Sequence, residues 1–144
     1  MNKTNPKKWI RKAIYDAINN LNVNGQIVKC YDAMVTGPNI SNYYVVIGPQ
    51  TALTDKDNKC EYLYNTTTTL DITYHYQRSG PTGSRVGIDD ITDGVRAALL
   101  NLTLDVASGL TVQKQTFDLV QDFTEPSDSE IVYRTIARLE LQIN

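Results

Sequence analysis

The stretch from Glu61 to Gln77, EYLYNTTTTLDITYHYQ, contains neither glycine nor proline. Its second half alternates apolar side chains, namely Leu70, Ile72, Tyr74 and Tyr76, with the more polar Thr69, Asp71, Thr73 and His75. A repeat of two residues is typical of a strand with one buried face. We therefore predict a long strand here, with Leu70 to Gln77 as its core half.

The length of this stretch also indicates a projection. At about 3.3 Å per residue an unbroken strand of this length reaches about 50 Å, which is longer than a domain of this size is wide. We expect Glu61 to Asn65, with the polar tip Thr54 to Cys60, to form a projecting hairpin arm. Thr66 to Thr69 is the expected bend, or the transition between the projecting half and the core half, because it has strand propensity but no apolar side chains to bury.

Two amphipathic helices are predicted on either side of this strand. Apolar residues recur at helical spacing from about Pro6 to Leu21, with Asn5 as the N-cap and proline at the first helical position. A second helix is expected from about Ile88 to Asn101. Gly94 inside that helix weakens it relative to alanine, so we expect close packing against the sheet there.

Four further strands complete the predicted order of elements: about Gln26 to Val35, Tyr43 to Ile47, Leu110 to Val120, and Ile131 to Ile143. A polar loop from Asp122 to Ser129 joins the last two. The fold class is thus α+β, with a mostly antiparallel sheet of about five strands, two helices packed on one face, and a projecting β-hairpin within about residues 43–77. A length of 144 residues predicts a single domain covering residues 1–144.

The charge pattern argues against nucleic-acid and membrane binding. The net charge is −2, and sequence-independent binding to phosphates needs many clustered cations. The one basic cluster, Lys3, Lys7, Lys8, Arg11 and Lys12, is interpreted as a solvated helix start. No apolar run approaches the length of a membrane span, and the N-terminus lacks a secretory signal, so we expect synthesis in a cytoplasm.

Motifs for catalysis are weak. The only histidine, His75, lies on the polar face of the predicted strand, where an exposed or interface histidine is the default. Gly80 to Gly87 precedes a helix, but the Lys-Ser/Thr of a phosphate-binding loop is missing, and Asp89 and Asp90 would repel a phosphate. No catalytic residue and no cofactor is predicted.

Metal-binding patterns also fail. Asp55 and Asp57 suggest a calcium loop, but Cys60 stands at its glycine position and Thr66 at its glutamate position. Cys30 and Cys60 have no Cys or His neighbours at metal-ligand spacing, so we predict free, half-buried thiols. Asp122 and Glu125 are interpreted as solvated acidic surface. No metal site is predicted.

The order and spacing of several short motifs do carry a resemblance. They are Ala13-Ile14-Tyr15, Tyr31-Asp32-Ala33-Met34, Tyr43 to Gly48, Leu70 to Arg78 followed by a glycine loop, Val95 to Leu99, and the final strand. Over nearly its whole length the chain resembles the tail completion and tail terminator proteins of tailed bacteriophages, which form rings at the head-to-tail junction. Asn42 stands where that family commonly has proline, and Tyr76 where tryptophan is frequent.

This resemblance implies a virion protein without enzymatic activity, assembled as a hexameric or dodecameric ring. Its partners would be further copies of itself and the portal, connector or tail-tube proteins, with DNA passing through the channel without specific binding. The hairpin and loops would contact neighbouring subunits. The candidate interface residues are Tyr62, Tyr64, Asp55, Asp57, Lys59, Arg78 and Arg85.

Two other functions remain open from the residues. One is a tail-assembly adaptor that binds a partner and then leaves, which differs from a ring protein in being absent from the purified particle. The other is a small hydrolase that uses His75 with a nearby carboxylate. Activity retained in His75→Ala, or absent from the wild type, would exclude that enzyme.

Overall fold

The structure is a computed structural model that describes residues 5–32, 41–54, 63–77 and 83–144. Its elements follow the order α1 (Pro6–Ile18), β1 (Leu21–Val23), β2 (Gln26–Tyr31), β3 (Tyr43–Thr54), β4 (Tyr64–Gln77), α2 (Val86–Leu99), a 3-10 turn (Val106–Ser108), β5 (Val112–Pro126) and β6 (Glu130–Ile143). Both predicted helices and the long central strand are therefore present.

The strands form one sheet in the order β1-β2-β3-β4-β6-β5. Only β2 and β3 pair in parallel, so the prediction of a mixed α+β fold with a mostly antiparallel sheet is confirmed. The described sheet has six strands instead of about five. The additional strand is β1, which forms because α1 ends at Ile18, three residues earlier than predicted, where Asn20 adopts a left-handed φ of 64°.

The core lies between this sheet and the two helices. Helices α1 and α2 contact each other and the sheet, so both lie on the same face. Their apolar stripes are almost completely buried there: Ile10, Ile14, Ile18, Ile88, Ile91, Val95 and Leu99. The predicted N-cap is confirmed, since the Asn5 side chain accepts a hydrogen bond from the Lys7 amide at 3.0 Å. We call the opposite side of the sheet the open face.

The predicted bend at Thr66 to Thr69 is wrong. Strand β4 pairs with β6 without interruption, from Tyr64 opposite Ile143 to Gln77 opposite Glu130. Thr66 and Thr68 are 2% and 1% exposed. A threonine methyl group fills apolar space, and the Thr66 hydroxyl donates to the Leu141 carbonyl at 3.0 Å, so the strand needs no larger apolar side chain here.

The projecting arm is not present in the part of the chain that the structure describes. Tyr64 and Asn65 lie inside the sheet, paired with β3 on one side and with β6 on the other. The remainder of the predicted arm, residues 55–62, lies outside the described residues. The irregularity of the hairpin is instead a break in the β3–β4 register between Ile47 and Gln50, at Gly48 and Pro49. Proline cannot donate to a ladder and is tolerated at such irregularities.

Two strands are longer than predicted. β3 continues past Ile47 to Thr54, and β5 continues past Val120 to Pro126. The loop predicted from Asp122 to Ser129 therefore shrinks to residues 127–129. β5 is an edge strand with mostly exposed side chains. Its second half is therefore polar, although it pairs with β6.

A candidate interaction surface on the open sheet face

The candidate interface residues fall into two groups. Five of them lie outside the described residues: Tyr62, Asp55, Asp57, Lys59 and Arg78. Tyr64 and Arg85 are described, and the structure does not bring them together. Tyr64 is level with Ile143 at one end of the sheet, whereas Arg85 stacks on Tyr133, which lies opposite Tyr74. The ten residues from Tyr64 to Tyr74 span roughly 33 Å of strand.

Arg85 is already engaged within the chain. Its guanidinium carbon lies 5.3 Å from the centre of the Tyr133 ring. Its Nη2 atom lies 3.2 Å from Asp122 Oδ1, an ion-pair contact without the geometry of a hydrogen bond. Asp122 was interpreted as part of a solvated loop, and instead it lies in β5, where it also accepts from the Thr135 hydroxyl. Arg85 is therefore a bridge between α2 and the sheet.

The open face carries a polar cluster around His75. The Tyr44 hydroxyl lies 3.1 Å from His75 Nε2, and His75 Nδ1 lies 3.2 Å from Glu130 Oε1. Since a carboxylate only accepts, Nδ1 donates to Glu130, and Nε2 of the neutral ring accepts from Tyr44. The Tyr31 ring packs edge-on against Tyr44, with centroids 5.8 Å apart. These contacts join β2, β3, β4 and β6.

This cluster places a carboxylate beside His75, as a hydrolase would require. The hydroxyl partner, however, is the phenol of Tyr44, whose pKa is raised because burial disfavours the phenolate. A nucleophile needs the opposite shift or a base that removes its proton in a substrate cavity. The arrangement is therefore best described as a satisfied cross-strand hydrogen-bond chain.

A second cluster on the open face surrounds Arg134. Its Nε and Nη2 atoms donate to the two carboxylate oxygens of Asp71, at 3.2 and 2.5 Å, and Nη1 donates to Glu125 Oε1 at 3.1 Å. The guanidinium also lies 5.4 Å from the centre of the Phe123 ring. Hydrogen bonding to Asp71 raises the pKa of Arg134 further. This cluster fixes charged side chains across β4, β6 and β5.

Sequence patterns did not reveal either cluster. His75 was correctly placed on the polar face, but its partners Tyr44 and Glu130 are 31 and 55 positions away. Their proximity depends on the strand order β3-β4-β6, for which no local pattern exists. The only signal of these clusters in the sequence was the alternation of polar and apolar residues along the strand.

Other sites on the described residues offer less chemistry. No group of three or more His, Cys, Asp or Glu side chains that could hold a metal ion occurs within residues 5–32, 41–54, 63–77 and 83–144. Among the same residues, no helix is long and apolar enough to cross a membrane. Cys30 is a free thiol, but it is buried rather than half-buried, and burial raises its pKa to about 12. Cys60 lies outside the described residues.

No model of a known protein family matches the chain, and no curated protein matches it. These comparisons therefore add nothing to the functional argument. The geometry of the open face and the order of the elements carry that argument instead.

Proposed function

We propose that the chain is a structural subunit of a ring at the head–tail junction of a tailed bacteriophage, of the tail completion, tail terminator or neck connector type. It joins the portal or head to the tail and surrounds the DNA channel. The order of elements supports this proposal: helix, four strands, helix and two long strands, with both helices on one face of a mostly antiparallel sheet. Most residues of the motifs that carry the resemblance described above lie on these elements, and the resemblance points to this class of ring protein.

The open face is the single observation that carries the proposal. Both described helices lie on the other side of the sheet, yet the open face holds half-buried aromatic and charged side chains. Tyr44, His75 and Arg134 are held by cross-strand contacts. Side chains that are already ordered lose little conformational entropy when a partner docks. A rigid face of this kind favours contact with another protein surface over turnover of a substrate.

The charge of the chain supports a channel lining that does not hold DNA. The net charge of −2 leaves no surplus of cations for binding phosphates, which is the main source of sequence-independent affinity for DNA. Binding through Lys and Arg would slow the passage of DNA. The proposed partners are thus other copies of the chain and portal or tail-tube proteins, and no cofactor is invoked.

Charge reversal on the open face tests the proposal. Arg138 is an exposed residue on this face of β6, and Lys8 is an exposed residue on α1. Arg138→Glu and Lys8→Glu change the net charge equally. If the open face makes the ring contacts, Arg138→Glu reduces the fraction of protein in rings, as counted by negative-stain microscopy, while Lys8→Glu leaves it unchanged. Equal behaviour of the two variants would argue against the open face.

A further inference from the structure

Strand β5 forms a long free edge of the sheet. It is the last strand in the sheet order and pairs only with β6 among the described strands, whereas the opposite edge strand, β1, has three residues. Leu119 and Val120, in the middle of β5, are 52% and 48% exposed. The Phe117 carbonyl accepts a hydrogen bond from Arg96 Nη2 at 3.4 Å. Apart from that contact, such an edge presents backbone N–H and C=O groups that can pair with another chain. We propose that β5 pairs antiparallel with β5 of a second copy around a two-fold axis.

A bulge restricts the register of this pairing. The β5–β6 register shifts between Leu119 and Gln121, so Val120 is an extra residue. As a result, residues on both sides of the bulge point to the open face: Lys114, Thr116 and Asp118 before it, and Gln121, Phe123 and Glu125 after it. Opposed residues in an antiparallel pair share a face. This rule permits the two registers centred on either side of Val120, between Leu119 and Val120 and between Val120 and Gln121, and we call the first the bulge-centred register.

The bulge-centred register is also chemically self-complementary. It places Leu119 against the partner's Val120 at the centre, and Lys114 against the partner's Glu125 towards each end. Because the contact is two-fold, each pair occurs twice. Oxygen Oε1 of Glu125 is already bonded to Arg134, which leaves the second carboxylate oxygen for the lysine.

No like charges face each other in this register. Asp118 lies opposite the partner's Gln121, and Asp122 opposite the partner's Phe117. A register centred on Asp118 would instead place two Asp118 carboxylates opposite each other, and like charges directly opposed destabilise a strand pair. The pairing of Lys114 with the partner's Glu125 therefore selects this register from the two that the bulge permits.

We assign a second copy of the chain to the β5 edge. A two-fold pair of β5 strands uses both β5 edges, so no further copy can add to them. The two sheets become one sheet whose remaining ends are the short β1 strands, so the assembly does not grow into a fibre. This contact does not depend on the ring proposed above. The ring is assigned to the open face, whereas this contact uses the edge.

Cysteine trapping tests the register directly. In a Cys60→Ser background, chains carrying Asp118→Cys are mixed with chains carrying Gln121→Cys and oxidised mildly. The expected result is a disulfide-linked dimer in the mixture and almost none with either variant alone. Identical positions in the two copies are displaced by three residues, roughly 10 Å, which is beyond disulfide reach. A mixture that stays unlinked, or Asp118→Cys that links to itself, overturns the proposal.

Sedimentation tests the contact without added cysteines. The wild-type chain should show a dimer in reversible equilibrium, and Val120→Lys should shift it to the monomer by placing two lysines at the centre of the pair. Val106→Lys is the matched control, because Val106 is 94% exposed and lies outside β5. Circular dichroism confirms that both variants are folded. A folded Val120→Lys variant that sediments like the wild type overturns the proposal.

Discussion

Arg11 is the residue with the densest set of contacts on the helix-covered side. All five of its N–H donors are used: Nε binds Asp32 Oδ1, Nη1 binds the Gly48 carbonyl and Gln50 Oε1, and Nη2 binds the Asp32 and Ile47 carbonyls. It thus holds α1 against the end of β2 and the irregular part of β3. The basic cluster was interpreted as a solvated helix start, and for Arg11 this interpretation is wrong.

Removing this side chain should destabilise the fold. Arg11→Ala removes the donors that reach the partly buried carbonyls of Ile47 and Gly48, so we expect a loss of about 3 kcal/mol in the free energy of unfolding, measured with urea. Arg11→Lys should recover little of it, because an ammonium group lacks the planar fork. Lys12→Ala is the control and should leave the free energy of unfolding almost unchanged, since Lys12 makes only exposed ion pairs. Full recovery by lysine would contradict this account of Arg11.

Cys30 should be chemically inert in the folded chain. Its thiol is 2% exposed, and burial raises its pKa to about 12, so the reactive thiolate is scarce at neutral pH. In a Cys60→Ser background, a thiol reagent should modify no cysteine at pH 8 until denaturant is added, and then one. Rapid modification of the native protein would show that Cys30 is accessible.

The contact between α2 and β1 depends on the absence of a side chain at Gly94. A Cβ atom built there would lie 2.5 Å from Val23 Cγ2. Alanine improves helix propensity by about 1 kcal/mol, but overpacking costs about 1–3 kcal/mol. We expect Gly94→Ala to be destabilising in thermal unfolding, and Val23→Ala in the same chain to relieve part of the loss. A stabilising Gly94→Ala would contradict the close packing.

Elements with a buried face were predictable, whereas the edge strand β5 was predicted only in its first half and the edge strand β1 was missed. The helices and Leu70 to Gln77 bury regular apolar stripes, which produce the periodic signal. The prediction of a bend at Thr66 to Thr69 was wrong because threonine looks polar in sequence, although Thr66 and Thr68 are buried in the core. The second half of β5 shows no alternation, since an exposed edge strand has no buried face to select apolar residues.

At the scale of the whole molecule, the sequence predicted the layer arrangement but not the surfaces. Helices on one face follow from their apolar stripes, whereas the open-face clusters depend on which strands become neighbours. Glu130 and Arg134 lie on β6, far along the chain from Tyr44 on β3. The open face and the β5 edge are separate surfaces, so ring formation and dimer formation can fail independently.

Negative-stain electron microscopy of the purified chain, alone and mixed with its portal or tail-tube partner, tests the central proposal most directly. If the chain is a ring subunit, we expect closed rings of uniform diameter and discrete subunit number in at least one of the two preparations. A chain that remains monomeric, or no larger than the β5-paired dimer, in both preparations would contradict the ring.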